Sequence, residues 1–369
     1  MQNLAPGCIE ECPACPHRSF SMNESLLRKQ EWLNNRLGNF FDVIGPIQSV
    51  ADDQRWHYRN KVCLATSHSG QSWNIGVRKR DKLIAIPKCP VHSKLVNINI
   101  QYLSRIIPPS DHFPFAFFMQ SGAQVTLGVK SKSLPPMEWF DEQVMTALQH
   151  NGVEALWIHL HPSTGKKVIG KGGWHLIFGK TRSISEYGMV YGPSSFSQVL
   201  PLLHVQSLQV ALDFLAPTKN TFVLDLYCGT GSTLQRWLAA GSGCVGVELS
   251  GEAIQCASLN APKAILLRGA CSHRIPQLSA LAATARGENK EILLYVNPPR
   301  TGLAEEVSDW IVQVVRPNRM AYLSCSAGTL QRDLAFLQKH GFQIRSIIPY
   351  DFFPHTLHFE ILALIEREP

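Results

Sequence analysis

The sequence predicts an α/β protein of two domains, a smaller and mainly β domain in the first half and an alternating strand–helix domain behind it. Three observations carry this. In the second half, short apolar runs over 221–226, 243–247, 291–296 and from Tyr322 up to Cys325 are each followed or ended by a polar residue, with helix patterns between them. From about residue 50 to 195, short strands with turn signals take over, as at 62–67, Gln124–Val129 and Trp174–Gly179. At 369 residues the chain is long enough for two full cores, and 45% hydrophobic with 17% charged residues describes ordered globular structure. No apolar run approaches a membrane span and no signal-peptide pattern opens the chain, so a soluble, cytoplasmic monomer is expected.

In chain order, Cys8-x-x-x-Cys12-x-x-Cys15 comes first, with Cys89 following in Ile86-Pro-Lys-Cys89-Pro90. Three thiols in one loop plus a distant fourth can hold a [4Fe–4S] cluster. Zinc on the same ligands, or with His17, is the alternative. Radical S-adenosylmethionine enzymes share the spacing, but they place it after a first strand and leave one iron open. Here the loop precedes any strand and a fourth cysteine is at hand. Disulfides do not fit a cytoplasmic chain. Cys63, Cys244, Cys256 and Cys271 sit in apolar surroundings and read as core, while Cys228 stays open between core and ligand contact.

Residues 23–40 form an amphipathic helix pattern with Leu26, Leu27, Leu33 and Leu37 at helical spacing. The formal charge of +7 is uneven: residues 1–200 hold 21 Lys and Arg against 14 Asp and Glu, and residues 201–369 hold 14 against 14. The basic runs Arg78-Lys79-Arg80, Lys130 with Lys132, and Lys166-Lys167 with Lys171 lie in the basic half. Singly each is a solvated face; together they favour phosphate contacts.

After a helix at 203–215, Thr221-Phe-Val-Leu-Asp225-Leu-Tyr227-Cys228-Gly229-Thr-Gly231-Ser232 is a strand, a glycine-rich turn and a helix start. The glycines let the backbone turn sharply and approach a ligand without a Cβ in the way. Glu248 ends the next strand about twenty residues on, where a carboxylate suits the two hydroxyls of a ribose. One acid before the glycines, with no Gly-x-Gly-x-x-Gly, resembles an S-adenosylmethionine site more than a dinucleotide site. A third strand stops at Asn297-Pro298-Pro299-Arg300, and two prolines hold the chain stiffly past the sheet edge. A fourth stops at Cys325, facing the start of a helix whose dipole favours a thiolate. Glu360 is a lone acid in a final apolar strand, where an uncompensated carboxylate is costly and a general base is one reason for it. If the sheet is parallel, Asp225, Glu248, Asn297 and Cys325 share one edge.

Together these motifs resemble the RNA (uracil-5-)-methyltransferase family, over most of the chain from Cys12 to Leu362-Ala-Leu-Ile-Glu. The most specific part is Ser324-Cys325 with Phe353-Pro-His-Thr-x-His-x-Glu360. The resemblance implies a Rossmann-like S-adenosylmethionine methyltransferase domain and methyl transfer to C5 of uracil in RNA. It implies Cys325 as nucleophile and Glu360 as base. Gln198, Tyr227, Gly229, Gly231, Ser232 and Glu248 fall at cofactor positions, and Asn297 where the family meets cofactor or uracil. Asn297 departs from the usual Asp, although one rRNA branch also reads Asn-Pro-Pro-Arg. It implies a [4Fe–4S] cluster on Cys8, Cys12, Cys15 and Cys89.

The implied organisation is an iron–sulfur loop over 1–17, a helix over 18–49 packing on the catalytic domain, a β-rich RNA-binding domain over 50–197 and the methyltransferase domain over 198–369. There is no room before Cys8 for the small β-barrel domain of some relatives, which places the chain nearer the shorter 23S rRNA branch. The T-loop of tRNA is the alternative substrate, and a non-catalytic RNA-binding or assembly factor the alternative class. The chemistry favours the enzyme: C5 of uracil becomes nucleophilic only when a thiolate adds to C6, and the adduct must then lose its C5 proton. A pure binder has no use for both Cys325 and Glu360.

Overall fold

Ser21 and Glu24 form a capping box at the start of the first helix, α1 (Met22–Arg36), in the computed structural model. The structure describes residues 4–163, 168–170 and 172–368. They fall into two units, Met1–Ser19 with Ala51–Val199, and Phe20–Val50 with Leu200–Pro369.

The first unit contains β1 (Lys61–His68), β2 (Trp73–Lys79), β3 (Lys82–Ala85), α2 (Lys94–Ile106), β4 (Phe115–Ser121), β5 (Gln124–Val129), α3 (Glu142–His150), β6 (Ala155–Leu160) and β7 (Trp174–Gly179). A small hairpin of β8 (Ser183–Ile184) and β9 (Val190–Tyr191) follows. The main sheet runs β3-β2-β1-β4-β5-β6-β7, antiparallel except between β5 and β6, where α3 makes the crossover. Ser93 caps α2, and Val96, Ile100 and Leu103 on one face of that helix join Phe113, Phe118 and Leu127 in the core. Arg78, Lys79 and Arg80 are exposed around the β2–β3 turn, with Arg80 at φ 55°; Lys130 and Lys132 are exposed beyond β5. Lys166, Lys167 and Lys171 lie outside the described residues. Cys63 is exposed on β1 and is not the core residue its apolar neighbours imply, because strand alternation turns it opposite to Val62 and Leu64.

The second unit continues with α4 (Pro201–Leu215), β10 (Thr221–Leu226), α5 (Ser232–Ala239), β11 (Gly243–Glu248), α6 (Gly251–Asn260), β12 (Ile265–Arg268), α7 (Cys271–Gly287), β13 (Glu291–Val296), α8 (Glu305–Trp310), β14 (Arg319–Ser324), α9 (Ala327–Lys339), β15 (Phe342–Tyr350) and β16 (Glu360–Arg367). Its sheet runs β12-β11-β10-β13-β14-β16-β15. The pairs from β12 to β14 are parallel, and β16 is antiparallel to both β14 and β15. β10, β13 and β14 are apolar along most of their length because both faces are buried, as parallel strands under helices require. The order reverses between β10 and β13, which opens the crevice where such sheets take ligands.

Helix α1 belongs to this second unit and packs on α9, with Leu33, Leu37 and nearby Phe40 in the core. Leu27, expected on the apolar stripe, is 58% exposed. The buried face takes Ser25 and Lys29 instead, and Lys29 can be there because it pairs with buried Asp351 at 2.5 Å. Among the described residues no helix is long and apolar enough to cross a membrane.

Candidate active site

Strand register brings the two chemically distinctive residues together. Ser324 at the end of β14 pairs with Ile361 of β16, and Glu360 pairs with Tyr350, so Cys325 and Glu360 each lie one residue past the last β14–β16 pair. They sit at the edge where the parallel strands end and β16 begins, beside Asp225, Glu248 and Asn297.

Glu360 is 3% exposed, and its Oε2 has no hydrogen-bond partner among the described residues. Burial pushes its carboxyl up to about 8, against a smaller opposing pull from Arg300. Cys325 is half-buried. Burial raises its thiol, and so does Glu360, while the Arg300 guanidinium and the local backbone act the other way. The net shift is upward, contrary to the depression expected from the helix start alone. A carboxyl held near 8 is mostly protonated at neutral pH, which weakens its opposition to the thiolate. The Arg300 guanidinium thus favours the thiolate, and its charge also reaches Glu360.

Arg300 is held by its own loop. Thr329 Oγ1 on α9 donates to Arg300 O at 3.2 Å, and the Arg332 guanidinium donates to Thr301 O and Leu303 O at 3.1 Å each. Asp333 Oδ2 accepts from Leu303 N–H at 3.0 Å and from Tyr322 O–H at 2.7 Å. Gly302 has φ 75°, and a Cβ there would stand 2.6 Å from that Asp333 oxygen. Only glycine closes this turn without displacing the anchor.

The segment before Glu360 is pinned from α1. Lys29 Nζ donates to Asp351 Oδ1, to Phe353 O at 3.1 Å and to His358 O at 3.0 Å, closing both ends of the loop with one ammonium. Inside it, Thr356 Oγ1 donates to Phe353 O at 2.8 Å and accepts from His358 N–H at 3.0 Å.

The glycine-rich turn follows β10. Tyr227 (φ 64°), Gly229 (φ 56°) and Gly231 (φ 83°) all lie in the left-handed region, and α5 starts at Ser232. Nothing lies within 4 Å of where a Gly229 Cβ would stand, so the turn is backed by open space. Gly229 N–H donates to Glu248 Oε2 at 3.2 Å and Ser250 N–H to Glu248 Oε1 at 2.7 Å. Each carboxylate oxygen keeps a second lone pair for a hydroxyl. Asp225 is fully buried: Trp237 Nε1–H donates to its Oδ2 at 2.8 Å, and the Thr233 side chain also favours its ionised form. Its carboxyl is pushed up to about 7 by that burial. Cys228 is core, its sulfur 2.7 Å from where a Gly246 Cβ would stand. Asn297 is half-buried, its N–H donating to Leu226 O at 3.3 Å. Gln198 is buried near the end of the first unit.

The comparisons with known proteins point the same way. The model of the tRNA (uracil-5-)-methyltransferase family matches residues 287–368, the stretch that holds Asn297, Arg300, Cys325 and Glu360. The 23S rRNA (uracil(747)-C(5))-methyltransferase RlmC of Vibrio vulnificus is 25% identical over 97% of this chain and 98% of its own length. The 23S rRNA (uracil(1939)-C(5))-methyltransferase RlmD of Shewanella baltica is 25% identical over 99% of this chain and 82% of its own. In fold, the chain resembles the Pyrococcus abyssi tRNA (uracil-54, C5)-methyltransferase solved with S-adenosyl-L-homocysteine. The TM-score is 0.71, at 20% identity over 96% of this chain and 86% of that one. By these likenesses the protein is an S-adenosylmethionine-dependent RNA (uracil-5-)-methyltransferase.

Two residues of this methyltransferase's site escaped the sequence reading. Arg300 had a signal, since two rigid prolines aim whatever follows them, but an arginine after a strand is ordinarily solvated. Lys29 had none beyond interrupting an apolar stripe, because its partners Asp351, Phe353 and His358 are more than 320 residues away.

Proposed function

We propose that this methyltransferase forms 5-methyluridine in 23S rRNA through a covalent adduct on Cys325. The observation that supports it is that Cys325 and Glu360 lie together just past the last β14–β16 pair, with Arg300 favouring the thiolate. The Cys325 thiolate adds to C6 of the uracil, and the C5–C6 electron pair moves toward O4 as an enolate. The Asn297 amide, at the same edge, can donate to O4 and accept from N3–H, which an ionised Asp cannot do. S-adenosylmethionine, when bound, supplies the methyl group as an electrophile. C5 takes the methyl, Glu360 takes the C5 proton, and the returning electron pair expels the Cys325 thiolate. The open Gly229 turn and the anchored Glu248 fit a cofactor with a ribose. We assign that site to Tyr227, Gly229, Gly231, Ser232 and Glu248, with Gln198 and Asn297 as further contacts. The target base must leave its stack, which favours loops and single strands.

The test is methyl transfer to protein-free RNA followed by mass spectrometry of digested fragments. The expected product is one 5-methyluridine in 23S rRNA. Label confined to tRNA would move the assignment to the T-loop, and label in neither would overturn it.

Cys8, Cys12, Cys15 and Cys89 fit a [4Fe–4S] cluster. Cys15 is pushed up to about 12 by burial and then by Cys89, Cys12 and Cys8, and Cys89 likewise feels Cys12 and Cys8, so the four thiols share one electrostatic neighbourhood. Among the described residues no group of three or more His, Cys, Asp or Glu side chains is placed to hold a metal ion. The four thiols are the ligands we assign to such a cluster. Methyl transfer has no redox step, so the role is structural. Anaerobically purified protein is expected to be brown and to carry iron and sulfide, and stoichiometric zinc without iron would refute this.

A further inference from the structure

Arg28, Trp32 and Arg36 recur at i, i+4 and i+8 on α1 and therefore share one side of the helix. All three are exposed, Trp32 by 54% despite its large apolar ring. A tryptophan left in water on a helix that buries a lysine calls for another use. Two placements tie this stripe to the chemistry. The Trp32 ring meets Phe359, the neighbour of Glu360, edge-on at 5.8 Å. The Arg36 guanidinium lies 2.9 Å from where a Cβ on Gly328 would stand, in the first turn of the helix after Cys325. Leu357, in the loop that Lys29 pins, is 61% exposed. Arg36 makes no ion pair among the described residues, and Arg28 lies over the Phe20 ring at 4.3 Å. Of the nearby acids, Glu31 is turned about 100° around the helix from Trp32, and Glu24, one turn before Arg28 and within reach of its charge, is held by the Ser21 cap.

We propose that this face of α1 is a docking surface for the single-stranded RNA flanking the reacting uridine, with a base stacked on Trp32 and phosphates held by Arg28 and Arg36. The inference rests on the reading that Cys325 and Glu360 act on a uridine in RNA. An indole flanked by guanidinium groups is complementary to single-stranded nucleic acid: every base offers a π-face, and every linkage a negative charge. Arg28 and Arg36 are about 12 Å apart along the helix, enough to bracket a stacked base. Lys29 on the same helix fixes the loop leading to Glu360, so RNA gripped by this face is held in register with the base catalyst.

The experiment compares wild type, Trp32→Ala, Trp32→Phe and the double variant Arg28→Ala with Arg36→Ala, using in vitro transcribed 23S rRNA fragments. Trp32→Ala should raise the KM for RNA about tenfold, and by more than it lowers kcat, with Trp32→Phe recovering most of the loss. The arginine variant should flatten the salt dependence of RNA binding by about 0.7 for each lost phosphate contact. Calorimetric titration of S-adenosylmethionine should be unchanged in all of them. Methylation by wild type alongside unaltered RNA KM and salt slope in both the Trp32→Ala and arginine variants would overturn this surface alone. A wild type that methylates no RNA would overturn the underlying reading, and the surface with it.

Discussion

Cys325→Ala is expected to abolish methyl transfer, by at least about 10⁴-fold, while RNA binding stays close to wild type. The reason lies in the uracil ring. Its C5 gains nucleophilic character only when C6 carries a covalent electron donor, and no other described thiol lies at this edge in a position to be one. Cys228, the nearest by sequence to the cofactor turn, is buried, with its sulfur packed toward Gly246 and its thiol pushed well up by burial. RNA affinity rests mainly on phosphate contacts, which one neutral side chain does not alter. Filter binding and incorporation of labelled methyl groups separate the two quantities. Measurable turnover by the variant would exclude the covalent route.

Most of the second unit was legible because its strands are near-continuous apolar runs and its polar strand ends are few. An edge gathering Asp225, Glu248, Asn297 and Cys325 follows once the strands are parallel, and β10, β11, β13 and β14 are parallel. The antiparallel β16 was not legible, nor was its register, and that register is what sets Glu360 opposite Cys325. The thiol's pKa was misjudged because a helix start is visible in sequence, whereas burial and a neighbouring carboxylate are properties of packing. Leu27 misled for a related reason. Periodicity places a leucine on a stripe but cannot see that Lys29, through Asp351, has claimed the buried face.

Glu360→Gln should trap the reaction one step from its end. The amide keeps the shape of the carboxyl but cannot accept the C5 proton, so the methylated adduct on Cys325 has no route to release. Denaturing gels should show a protein–RNA band that forms within the first turnover and vanishes when Cys325→Ala is added. Turnover should fall by about 10²- to 10⁴-fold. The pH dependence adds a second readout whose sign is fixed by the geometry. In the wild type, Glu360 is raised to about 8, so its proton-accepting form grows as pH rises from 7 to 9, and the Cys325 thiolate grows over the same direction. Both limbs climb, and activity should rise with pH rather than peak near neutrality. In the Gln variant the carboxylate that pushes the Cys325 thiol up is gone, while Arg300 still stabilises the thiolate. Adduct formation should therefore shift to lower pH than wild-type turnover. A variant that turns over at the wild-type rate would hand proton removal to another group. An adduct that forms with an unshifted pH profile would instead show that Glu360 and Cys325 do not share one electrostatic environment.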